Sequence, residues 1–186
     1  MIGGDQHAPR DQRDAERRRF EAQLPNDLWQ SDVMHGPTVP VEGKNRKAYL
    51  IAFIDDMSRL ICHAQFYLSK NLNCYLDALR QALLRRGLPR KLYVDNGPAF
   101  RSFHLHQITA SLGIALIHAK PYQPQGKGKI ERFFRTVRSD FLPGLHAKTL
   151  DDLNLALDCW LRDLYHNREH RSTGQTPLRS EEHTSE

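Results

Sequence analysis

Three carboxylates stand at distinctive points of this 186-residue chain: Asp32, Asp95 and Glu131, the last two with residues 96–130 between them. Clustered carboxylates repel one another and any phosphate that approaches, so bringing them together makes sense only around cations. Hard divalent ions take oxygen ligands, and a magnesium site uses a few carboxylates completed by water and substrate phosphate. Two such ions about 3.5–4 Å apart activate the attacking oxygen and stabilise the leaving one in phosphodiester chemistry. The chemistry these residues would serve is therefore metal-dependent phosphoryl transfer.

The elements that must position them follow from periodicity and turn residues. Leu28–Val41 reads as a strand containing Asp32, and Glu42–Asn45 as a turn. Ala48–Ile54 is almost wholly apolar, as in a strand buried on both faces. Asp55–Ser58 turns the chain into a third strand, Leu60–Leu68, completing an antiparallel meander. Leu72, Leu76, Leu79 and Leu83 then recur at helical spacing until Gly87 and Pro89. A short strand, Lys91–Val94, delivers Asp95 to the breaker Asn96-Gly97-Pro98. A helix over Ala99–Leu112, a strand over Ile114–Ile117, a loop over Lys120–Gly126, a helix over Lys127–Phe141 and a last helix over Leu150–Tyr165 follow. On that last helix Leu150, Leu153, Leu157, Leu161 and Leu164 are expected to face inward. Tight turns join antiparallel strands and helical crossovers join parallel ones. The order therefore predicts an α/β fold: a five-stranded mixed sheet, a three-strand antiparallel meander plus two parallel strands, flanked by helices. The first and fourth strands are candidate neighbours, which would let Asp32 and Asp95 meet at one end with the Glu131 helix crossing nearby.

That helix carries an apolar stripe of Ile130, Phe133, Phe134, Val137 and Phe141 beside a polar stripe of Lys127, Glu131, Arg135 and Arg138. From Lys120 to Arg138 the cations are Lys120, Lys127, Lys129, Arg132, Arg135 and Arg138, and Glu131 is the only acid. Such a face suits approaching DNA phosphates; taken alone it suits a solvated surface with ion pairs at i, i+4 equally well.

Trp29-Gln30-Ser31-Asp32, Ile54-Asp55-Asp56-Met57-Ser58-Arg59, Tyr93-Val94-Asp95-Asn96-Gly97-Pro98-Ala99-Phe100 and Pro121-Tyr122-Gln123-Pro124-Gln125-Gly126-Lys127-Gly128-Lys129-Ile130-Glu131-Arg132 resemble the integrase core (retroviral-integrase, DDE type) of bacterial insertion-sequence transposases. The motifs occur in the family's order, Asp95 and Glu131 stand at the family's separation, and the resemblance covers about Asp27–Pro177. It implies a ribonuclease-H-like fold in which Asp32, Asp95 and Glu131 bind two Mg²⁺ or Mn²⁺ ions. It also implies hydrolytic nicking at transposon ends and strand transfer to target DNA, by a homo-oligomer assembled on DNA. Lys127 and Lys129 are the first candidates for phosphate contact, with Lys120, Tyr122, Arg135 and Arg138 beside them. Tyr165-His166-Asn167-Arg168-Glu169-His170-Arg171 resembles the family's closing Tyr-Asn-x-x-Arg-x-His element, with the last two residues exchanged. Two other readings stay open on sequence: a DNA-binding remnant without catalysis, and a nuclease of the same fold acting on other substrates.

The remaining residues weigh less. Asp55 and Asp56 are expected to shape their turn, His118 to be structural or DNA-facing, and His104 and His106 to lack a ligand partner. Cys62, Cys74 and Cys159 read as buried or half-buried thiols, and without a Cys-x-x-Cys pair a zinc ribbon or finger is not expected. The net charge of +5 and pI near 9.2 suit a polyanionic partner. No apolar run approaches the roughly 20 residues of a membrane span, so a cytoplasmic setting is expected. Residues 1–26, rich in both charges, read as a linker or disordered arm. Residues 27–178 read as the core, and 179–186 as a non-native tail whose sequence resembles a translated sequencing adapter.

Overall fold

A computed structural model of the chain describes residues 22–119 and 127–182. Most of the charged segment 1–26 lies outside that range, as do Lys120 and Tyr122. The first two strands are β1 (Trp29–Val41) and β2 (Lys44–Asp55). They meet through a two-residue hairpin in which Glu42 (φ 49°) and Gly43 (φ 75°) both take positive φ, the geometry that matches the twist of paired strands. β3 (Ile61–Tyr67) pairs antiparallel with β2. After α1 (Leu72–Arg86), β4 (Lys91–Val94) lies parallel to β1. After α2 (Phe103–Ser111), β5 (Ala115–His118) lies parallel to β4. The sheet order is β3-β2-β1-β4-β5, so the expected mixed sheet forms and the first and fourth strands are neighbours.

Alternation along β2 explains the two-layered core. Leu50, Ala52 and Ile54 enter one apolar cluster, while Ile51 and Phe53 enter the other, because successive side chains leave opposite faces of the sheet. One face is covered by α1 and α2. The other is covered by α3 (Gly128–Thr136) and α4 (Leu150–Trp160). All five residues of the expected stripe, Ile130, Phe133, Phe134, Val137 and Phe141, are buried there. β3 forms the sheet's edge, and Asn154 on α4 covers it: its side chain accepts from Phe66 N (2.7 Å) and donates to Phe66 O (3.0 Å), closing an otherwise open ladder.

Three expectations need correction. The helix expected over Ala99–Leu112 starts only at Phe103, because Gly97–Arg101 forms a turn and Ser102 supplies the cap, accepting from His104 N. The two later helices do not run on as α-helix; each ends in a π-turn, Val137–Phe141 and Leu161–Tyr165. The wider π-turn rotates the end of the last helix, so Leu164 is 61% exposed and Tyr165 takes the inward position. The chain also forms α5 (Pro177–Glu182), with Glu181 on Arg86 at 3.0 Å, a segment the sequence offered no helical pattern for.

Candidate active site

The register of β1 and β4 brings two of the three acids together. Trp29 pairs with Leu92 and Gln30 with Tyr93; two residues further along each parallel strand, Asp32 comes beside Asp95. Both leave the sheet on the face that α3 covers, since Met34, of Asp32's parity, packs against that helix while Trp29 and Val94 pack on the other side. The Asp32 carboxylate accepts from Val33 N at 2.8 Å. Asp95 is fixed through its neighbour: Asn96 N donates to its carboxylate at 2.6 Å, and the Asn96 amide donates to Ala119 O at the exit of β5.

A cation already sits between these two acids. The Lys127 ammonium lies 3.0 Å from Asp32 Oδ2 and 3.8 Å from Asp95 Oδ2. Lys127 stands at the N-terminal end of α3, where the helix dipole disfavours a positive charge. Its carboxylate partners offset that. Glu131 lies one turn further along α3, exposed and in the first turn, where an acid is favoured. Residues four apart share a helix face, so Glu131 stands on the same face as Lys127. Among the described residues no three histidine, cysteine, aspartate or glutamate side chains are gathered closely enough to hold a metal ion. The donor set nonetheless fits a divalent cation: two adjacent carboxylates are already organised around one positive charge, with a third acid on the adjoining helix face.

A buried polar network seats α3 over these acids, and the sequence concealed most of it. Asp55 shapes its turn as expected, accepting from Met57 N, Ser58 N and Ser58 Oγ at 2.8–3.1 Å; burial raises its pKa despite these bonds. Asp56 does something else. Its side chain is fully buried and points inward, accepting from Gln30 Nε2 (2.7 Å), Ala22 N (2.9 Å) and the Lys129 ammonium. Gln30 Oε1 in turn accepts from Ile130 N at 3.2 Å. Lys129, expected on phosphate, thus has its ammonium matched inside the protein. The clue to Gln30 was available: it precedes Asp32 by two residues and so shares its face of β1.

Arg135 and Arg138 are exposed on the α3 flank. His106, for which no ligand partner was expected, meets His118: their rings stack at 5.1 Å with Nε2 atoms 3.2 Å apart, and His118 Nδ1 lies 3.3 Å from Asp95 O. The three cysteines are free thiols, Cys62 fully inside.

Known proteins match this arrangement over most of the chain. The Integrase core domain model matches residues 22–124, and a second model of the same description matches 112–177. The transposase for transposon Tn552 of Staphylococcus aureus is 32% identical over 182 residues, covering 85% of this chain and 38% of that protein. A putative transposase for insertion sequence element IS5376 of Geobacillus stearothermophilus is 26% identical over 170 residues, covering 86% of this chain and 42% of that protein. The chain therefore spans about two fifths of the length of these two relatives. The HTLV-2 integrase catalytic core domain in complex with magnesium (trimeric form) superposes with a TM-score of 0.65 at 23% identity, over 87% of this chain and 99% of that one. The catalytic core domain of BIV integrase gives 0.65 at 24%, over 86% and 97%. These likenesses establish the ribonuclease-H-like fold. Because the family model covers more than half of the sequence, the chain belongs to the integrase core domain family.

Proposed function

We propose that this chain is the catalytic core of a DDE-type DNA transposase, in which Asp32, Asp95 and Glu131 hold two Mg²⁺ or Mn²⁺ ions against a DNA phosphate. One observation carries the reading: Asp32 and Asp95 lie side by side on adjacent parallel strands around a single ammonium, on the sheet face that the Glu131 helix covers. The magnesium of the HTLV-2 core and the transposases among the relatives support it. Bound ions would supply Lewis-acid polarisation and a nucleophilic oxygen at neutral pH.

The chain's own groups do the positioning. Asp32 and Asp95 orient by strand register and backbone hydrogen bonds, Glu131 by the seating of α3, and Arg135 and Arg138 meet DNA on its flank. Lys120 and Tyr122, outside the described residues, are further candidate contacts. Lys127, released from the acids when other cations take its place, reaches phosphate. In nicking, a water oxygen bonds to phosphorus, the P–O3′ bond breaks, and the departing oxygen takes a proton to become a 3′ hydroxyl. In strand transfer that hydroxyl oxygen bonds to a target phosphorus and the target's own P–O3′ bond breaks. The trimeric and dimeric forms of the HTLV-2 core, and an intasome of simian T-cell lymphotropic virus, support a homo-oligomer on DNA. Among the described residues no helix is long and apolar enough to cross a membrane; action on DNA in the cytoplasm fits that.

The test is cleavage and joining of a labelled duplex carrying the element's own terminal repeat, in Mn²⁺ or Mg²⁺. Nicking and joined products should form with the wild-type chain and vanish in Asp32→Asn, Asp95→Asn and Glu131→Gln. Wild-type rates in any of the three would overturn the assignment. Cleavage of RNA–DNA hybrids without joining would favour a nuclease instead.

A further inference from the structure

A cleft of about 980 Å³ runs between the flank of α3 and the segment following the last π-turn. Arg135 on its wall stands one turn beyond Glu131 on the same helix. Its floor includes Gln30, Phe133 and Tyr165, and its walls carry Arg132, Arg135, Arg168 and Arg171. Two of its acids are matched within the protein: Asp56 by Lys129, and Asp140 by Arg168 at 2.9 Å. The other arginines along it are Arg59, Arg132, Arg135 and Arg171, beside Glu169. Arg132, Arg135 and Arg171 are all exposed. The positive field converges on His170, whose pKa is lowered by burial and then by the neighbouring Arg59, Arg168 and Arg132 guanidiniums.

We infer that this cleft is a track for the sugar–phosphate backbone of the DNA strand that leads to the acid pair. The inference rests on the reading of the chain as a DNA-acting core. Arginine forks match phosphate oxygens two at a time, and three of them in one groove fit a repeating anion better than a single acidic group. The placement agrees. Gln30 lines the cleft and Asp32 follows it on the same face of β1, roughly 7 Å further along at about 3.3 Å per strand residue. A strand whose reacting phosphate lay at Asp32 and Asp95 would thus enter the cleft within about one nucleotide. The wall also gives a role to the closing element Tyr165–Arg171: Tyr165 packs edge-on against Phe133 at 5.2 Å and against His170 at 5.1 Å. These contacts hold the Arg168–Arg171 segment opposite α3.

The experiment measures binding of the full chain to a fluorescent duplex with a single-stranded tail, in chelator, across a salt series. Each phosphate contact contributes a slope of roughly 0.7–0.9 in log K against log salt, or about five- to eightfold in affinity at 0.1 M salt. Arg132→Gln/Arg171→Gln should therefore lower the slope by about 1.4–1.8 and the affinity by roughly 25- to 60-fold. Arg80→Gln/Lys91→Gln removes the same charge from exposed positions on α1 and β4, and should move either quantity far less. An unchanged slope in the cleft variant, or an equal fall in the control pair, overturns the track while wild-type binding leaves the core reading standing. A wild-type chain that shows no salt-dependent DNA binding overturns both.

Discussion

Asp56→Asn tests the internal support of the site, because it removes a charge and almost no volume. In the wild type the fully buried Asp56 carboxylate receives Gln30 Nε2, Ala22 N and the Lys129 ammonium. The amide can accept with only one oxygen, so its NH₂ faces at least one of those donors, and Lys129 loses the Asp56 charge. Breaking a buried ion pair by removing one member costs about 3–5 kcal/mol. The Lys129 side chain is 17% exposed and can recover some hydration, which favours the low end, about 3 kcal/mol. At roughly 2–4 °C per kcal/mol for a chain of this size, the melting temperature should fall by about 6–12 °C in chelator. Urea titration supplies the free energy independently. The cycle is completed by Lys129→Met: replacing both members removes this buried pair whole, so the double variant should be more stable than Asp56→Asn alone. A loss under about 1 kcal/mol in the single variant, or strict additivity in the double, would refute this account of the network.

Other perturbations have equally definite expectations. Lys127→Gln removes the ammonium that competes with metal for Asp32 and Asp95; at about 1 kcal/mol for a partly exposed pair, Mn²⁺ affinity by calorimetry should rise roughly fivefold, and a fall would count against the competition. His63 and His166 have pKa values lowered to about 4 chiefly by burial, from 6.5 when unfolded. The unfolded chain therefore binds more protons between those values, and the stability that keeping them neutral confers is complete above pH 6.5 and lost as pH falls toward 4. Each should cost about 2 kcal/mol between pH 7.5 and 5, and His63→Leu should remove about half of their combined fall; urea midpoints at the two pH values check this. At Gly36 an added Cβ would lie 2.6 Å from the Phe66 ring and 3.1 Å from Ala48 O, so Gly36→Ala should destabilise by about 1–3 kcal/mol. An unchanged thermal melt would contradict that packing.

Much of this protein is legible without coordinates because it is written in local periods. The nearly unbroken apolar run Ala48–Ile54 reads as a strand covered on both faces, and the spacing of Ile130, Phe133, Phe134, Val137 and Phe141 reads as one buried side of a helix. Asp32, Asp95 and Glu131 are singled out by their motifs and their places on those elements. The tertiary structure decided which partners distant residues find. Only the parallel register of β1 and β4 sets Asp32 beside Asp95, and only the seating of α3 brings Lys127 between them. The same docking takes Lys129 inward to Asp56, a pairing across 73 positions that no local pattern encodes. Leu164 makes the converse point. Its leucine spacing predicts burial, but a π-turn changes the rotation per residue and gives the inward position to Tyr165. Side-chain period follows from neighbours in sequence, whereas the pairing of buried charges depends on what the folded chain places within a few ångströms of them.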